Sequence, residues 1–86
     1  MVKKVFTSEQ AKEVAKKIGA DFKKWNVEQF RMGMDVELEH GKVDPRTNVT
    51  NDDPVMTGKI AWAHLNEIPD YYTRLYEMEE EAEEKR

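Results

Sequence analysis

Four helix-start signals punctuate this chain, at Thr7, Asn26, Asp53-Pro54 and Asp70, each ahead of apolar residues that recur at three and four instead of alternating. The pattern predicts an all-α fold, a compact bundle of about four helices. Thr7 and Gln10 have the spacing of a capping box, in which hydroxyl and amide satisfy each other's backbone N–H groups. Ala11, Val14, Ala15 and Ile18 then form one stripe, and Gly19 supplies a stop. Asn26 is the clearest start, with Gln29 at the third helical position and Trp25 and Phe30 as the flanking pair of a hydrophobic staple. The second helix is expected from Val27 to about His40, ended by Gly41.

Residues 41–53 are rich in Asn, Asp and Thr and contain Pro45, so a long loop is expected between helices two and three. The third helix opens at Asp53 and Pro54 and is expected to be central, since Gly58, Ala61 and Ala63 permit close approach by a neighbour. Thr57, Ile60, Ala61, His64, Leu65 and Ile68 share its inward side, and Trp62 sits near the outward face. Pro69 breaks that helix and Asp70 is expected to cap the fourth, whose stripe is Tyr71, Leu75, Met78 and Ala82.

A chain of 86 residues has room for a single modest core. The expected division is one helical domain over residues 1–78 and an acidic helix end or tail over 79–86. No run approaches the roughly 20 apolar residues of a membrane span, and the apolar part of the N-terminus is short for a secretory signal. The expected setting is cytoplasmic, away from membranes. With no cysteine, disulfides, thiolate nucleophiles and zinc fingers are excluded. No Gly-rich phosphate loop and no Ser-His-Asp arrangement supports nucleotide binding or acyl transfer.

Charge is unevenly spread. Residues 1–31 hold eight Lys or Arg against four acids, and residues 32–86 hold six against fourteen. The lysines of the first third, Lys12, Lys16, Lys23 and Lys24, offer one route to nucleic-acid binding, which the acidic remainder opposes. A solvated helix face and a solubilising tail explain the same charges.

The stretch Val36-Glu37-Leu38-Glu39-His40-Gly41 carries most of the chemistry. On a helical wheel Val27, Phe30, Met34 and Leu38 make one apolar band, Met32 and Val36 another, and Glu37 and His40 fall between them. Glu28, Arg31, Asp35 and Glu39 take the opposite, solvent side. The spacing of Glu37 and His40 lets a helix aim a carboxylate and an imidazole at one ion, and His64 with Glu67 repeats the pair in reverse. Converging, these groups with Asp70 are candidate ligands for Zn²⁺, Fe²⁺ or Mn²⁺. A simple hairpin would leave His64 about 16 Å further along. Convergence needs the loop, which can span about 43 Å, to cross back so that helices two and three run in the same direction.

The alternative is structural. Glu37, His40, Asp53, Thr57 and His64 then form an inward polar network that fixes the loop, with Glu37 accepting hydrogen bonds from loop N–H groups or a tyrosine and His40 complementing its helix dipole.

The runs VEQFRMGMDVELEHG and DPRTNVTNDDPVMTGKIAWAHLNEIPDYYTRL, within residues 26–75, resemble the signature of a family of small uncharacterised bacterial and phage proteins, a domain of unknown function. The resemblance implies no activity, cofactor or site. The leading expectation is a non-enzymatic helical interaction or structural module, with a protein partner or a second copy of itself. Divalent-metal binding and nucleic-acid binding are the alternatives.

Overall fold

The computed structural model describes residues 4–43 and 45–84. The outermost residues of the expected domain and tail lie outside the described residues. Among those described, the chain forms four α-helices, α1 (Ser8–Ile18), α2 (Val27–Val43), α3 (Pro54–Glu67) and α4 (Tyr71–Glu84), with one 3₁₀ turn at Pro45–Thr47. No helix of the described residues is long and apolar enough to cross a membrane.

The capping predictions hold where the signal is local. Thr7 Oγ1 accepts from Gln10 N–H at 3.1 Å while Gln10 Oε1 accepts from Thr7 N–H at 2.9 Å, and Gly19 closes α1 in the left-handed conformation with φ 81°. Asn26 Oδ1 accepts from Gln29 N–H at 2.9 Å, and Trp25 stacks on Phe30 with ring centroids 5.5 Å apart, the staple read from the sequence. Asp53 Oδ2 accepts from Met56 N–H at 3.0 Å to cap α3, and the buried Thr57 hydroxyl donates to the Asp53 carbonyl at 2.8 Å.

Gly41 does not end the second helix. α2 continues to Val43, and Gly41 is buried inside it because a Cβ there would fall 2.8 Å from Asn48 Oδ1. Its bare backbone lets the following segment fold against the helix. That segment is braced by its own side chains: Asn48 Nδ2 donates to Asp52 Oδ1 at 2.9 Å and the Thr50 hydroxyl accepts from Asp52 N–H at 3.2 Å. Asn51 and Asp52 take positive φ angles of 51° and 61°, which the small polar residues tolerate best after glycine. The connection between α2 and α3 is thus residues 44–53, shorter than the expected loop and partly helical.

The connection crosses back. Near the start of each helix Phe30 lies beside Gly58, and further on Glu37 lies beside His64, so α2 and α3 run in the same direction. Gly58 also admits Val14 of α1, and any Cβ there would overlap that side chain. The core gathers Phe6, Ala11, Val14, Ala15, Trp25, Phe30, Met34, Leu38, Ala61, Leu65 and Tyr72. α2, not α3, is the central helix, packing against all three others.

The stripe of α4 is rotated from the one expected. Tyr72 is the buried residue, with Tyr71 and Leu75 half-buried, while Met78 and Ala82 face water. The Tyr72 ring rests on Gly33 of α2, where a Cβ would overlap the ring edge. Ile68, expected inward, is 40% exposed. It ends α3 in extended geometry ahead of Pro69, as a residue before proline must. Asp70 does not cap α4 with its carboxylate, which accepts from Arg74 Nε at 2.7 Å instead.

Candidate functional site

Two features share the face where α2 meets α4: a carboxylate cluster around Glu37 and an apolar groove beside it.

Glu37 is the hub of the cluster, its side chain 11% exposed. Tyr72 Oη donates to Glu37 Oε2 at 2.9 Å. His64 Nε2 lies 3.7 Å from the same oxygen and His40 Nδ1 lies 4.0 Å from Oε1. His64 stacks face to face on Tyr71, ring centroids 4.4 Å apart, and Tyr72 meets both rings edge-on. Burial, and then the neighbouring Glu37 charge, push the Tyr72 phenol well above its ordinary range, so it remains a neutral donor. The cluster therefore ties α2, α3 and α4 together through one carboxylate.

Of the sequence candidates, Glu37, His40 and His64 meet, but not as an inward set. The His64 side chain is 36% exposed and that of His40 is 54% exposed, because His40 lies toward the rim of the helix face. Neither belongs to the core. Glu67 is exposed, and Asp70 pairs with Arg74. The imidazoles approach opposite oxygens of Glu37, and among the described residues no three His, Cys, Asp or Glu side chains converge into a set able to hold a metal ion. Asp53 and Thr57 serve the N-terminus of α3, and the loop is held by Gly41, Asn48 and Thr50, so the expected loop-fixing network is two separate structures.

A second polar structure contradicts the expected orientation of Arg31 and Asp35, which are 7% and 5% exposed instead of facing water. Asp35 Oδ1 accepts from Val5 N–H at 3.1 Å and Phe6 N–H at 2.9 Å, while Oδ2 accepts from Arg31 at 2.7 Å. Arg31 turns its other edge to Glu28, whose hydrogen bond raises the guanidinium pKa, and Arg31 in turn holds the Glu28 carboxyl below its usual range. The segment leading into α1 is thereby strapped across α2.

Between the strap and α4 lies a groove of about 420 Å³. Met32 and Val36 of α2 and Tyr72, Leu75 and Tyr76 of α4 supply its apolar lining, and Lys4 and Glu79 also line it. Its lining is largely apolar, within the size range of ordinary binding pockets. The groove is not legible in the sequence because the expected stripe of α4 runs through Tyr71, one position from the buried Tyr72.

The sequence profile of a family described as proteins of unknown function, DUF5661, matches residues 11–81. The chain is a member of that family. No curated protein and no solved structure matches it.

Proposed function

We propose that the chain is a small protein-interaction module that presents the groove between α2 and α4. The observation that supports this is the groove itself, an apolar recess among side chains fixed by the buried Tyr72 and by the Arg31–Asp35 strap. Such recesses receive the apolar anchors of a partner. The Glu37 cluster has a supporting role, locking α4 to α2 and α3 so that the groove keeps its shape.

Site-specific photo-crosslinking in the host cell tests the reading. A benzophenone amino acid at position 76, on the groove rim, should yield a discrete heavier adduct that disappears on adding Met32→Glu, while the same probe at exposed position 59 should not. Equal adducts from both positions, or none from position 76, would overturn the proposal.

The divalent-ion reading has less support, since among the described residues no three His, Asp or Glu side chains form a set able to hold a metal ion. Stoichiometric metal after purification without a histidine tag, lost together with thermal stability in chelator, would restore it. The nucleic-acid reading rests on exposed lysines alone, and failure to bind DNA or RNA at low salt would end it.

A further inference from the structure

The strap that crosses α2 shares residues with the groove, and its fastenings are of a kind that can open. Resting on the interaction reading above, we propose that residues 4–6 are a hinged latch, which swings about Thr7 while the four helices stay packed and so sets how far the groove extends along α2.

Three observations lead there. The first is where α1 begins. Thr7 N–H donates to Gln10 Oε1, its hydroxyl accepts from Gln10 N–H, and its carbonyl accepts from Ala11 N–H at 3.0 Å, so the helix is complete without residues 4–6. Lifting them breaks no bond of α1.

The second is how few groups hold the strap. The Val5 and Phe6 N–H groups share a single carboxylate oxygen, Asp35 Oδ1, at 3.1 and 2.9 Å, and Arg31 Nη1 donates to the Phe6 carbonyl at 3.4 Å. Phe6 is buried, whereas Lys4 and Val5 are exposed.

The third is that the seat does not need the strap. Arg31 pairs with Asp35 at 2.7 Å and with Glu28 at 3.0 Å, partners four and three positions away on the same helix, so α2 alone fixes the geometry. Closing the strap takes this cluster out of water. Desolvation of the Arg31–Asp35 pair therefore opposes closure and offsets part of what the two N–H bonds and the Phe6 ring supply.

The groove feels the movement because Lys4, Arg31 and Asp35 all line it. Swinging the strap out removes Lys4 from the lining and frees Asp35 Oδ1 of both donors. The open groove is longer along α2 and ends in a carboxylate able to accept N–H groups of an occupant.

The test combines native-state hydrogen exchange on the full chain with the variant Val5→Pro, which removes one donor to Asp35 and leaves Phe6, Arg31 and Asp35 in place. In the unaltered chain the Val5 and Phe6 amides, corrected for intrinsic rates, should exchange at least about tenfold faster than those of Ala15 and Met34, and urea below the unfolding transition should not change their rates. In Val5→Pro the Phe6 amide should exchange about tenfold faster again, the loss of a bond to a charged acceptor, with Ala15 and Met34 within about twofold. The crosslinked adduct from position 76 should strengthen several-fold, since apparent affinity scales with the open fraction. Exchange of Val5 and Phe6 together with α1, at the same dependence on urea, would overturn the latch and leave the interaction reading to its own adduct. Independent opening with an adduct that Val5→Pro does not change would also overturn it, as a strap that gates nothing. An empty position 76 in both proteins would overturn the interaction reading, and the gating with it.

Discussion

The ring of Tyr72 lies directly on the backbone of Gly33, and its hydroxyl reaches Glu37 one helical turn further along α2. One residue thus supplies both the apolar seat and the polar anchor of α4.

Gly33→Ala should destabilise the fold. Alanine gains about 1 kcal/mol over glycine in a helix, but the new methyl overlaps the buried Tyr72 ring, whose hydroxyl is held by Glu37, and overpacking costs about 1–3 kcal/mol. A lower melting temperature by circular dichroism is the expected result. An unchanged or raised one would show that α4 does not sit on this glycine.

Glu37→Ala and Tyr72→Phe should each destabilise, and together by less than their sum. The shared hydrogen bond is charge-assisted and nearly buried, so a coupling of about 1–2 kcal/mol is expected from a denaturation double-mutant cycle. Glu39→Ala, on the exposed side of the same helix, should change stability by less than about 0.5 kcal/mol. Additive effects of the first two would remove Glu37 as the hub.

Asp35→Ala should cost about 3 kcal/mol, the low end for breaking a buried ion pair, because Glu28 remains beside Arg31. It should also release the strap. Hydrogen exchange at the Val5 and Phe6 amides should accelerate beyond the change at α1, whereas uniform acceleration would indicate global loss only.

Stability should decline at both extremes of pH for identifiable reasons. The Glu28 carboxyl is lowered by its hydrogen bond to Arg31, so its contribution is whole above the ordinary value of about 4.3 and is lost as pH falls through the lower folded value. Tyr72 is raised, by burial first and by Glu37 second, so its contribution is whole below about 10 and shrinks as pH rises further. Urea denaturation against pH should show a flatter acid limb in Glu28→Gln and a flatter alkaline limb in Tyr72→Phe. Unchanged limbs would place the titrations elsewhere.

What the sequence discloses here depends on how far apart the interacting residues are. Thr7 with Gln10, Asn26 with Gln29 and Asp53 with Met56 act over three positions, so the caps and the all-helical class are legible. Gly41 misleads because a glycine past an apolar run is a stop only where the backbone turns left-handed, and here Asn48 needs its missing side chain. Arg31 and Asp35 mislead for a longer-range reason. A helical wheel assigns charges to water, whereas these two are covered by residues 5 and 6, some 25 to 30 positions away. The direction of α3 and the seat of Tyr72 are long-range in the same sense, and the groove follows from both. Glu37 is readable as inward, and a tyrosine and the two histidines are readable as its partners, but which tyrosine reaches it is not.

α4 is fastened to the rest by a phenol on a glycine, a carboxylate under that phenol, the Tyr71 ring stacked on His64 and the amide of Gln29 donating to Thr73. It also forms half of the recess. Occupancy of the recess and the lifetime of the docked helix are therefore two readings of one equilibrium: whatever fills the space slows the helix from lifting off, and whatever loosens the phenol empties the space.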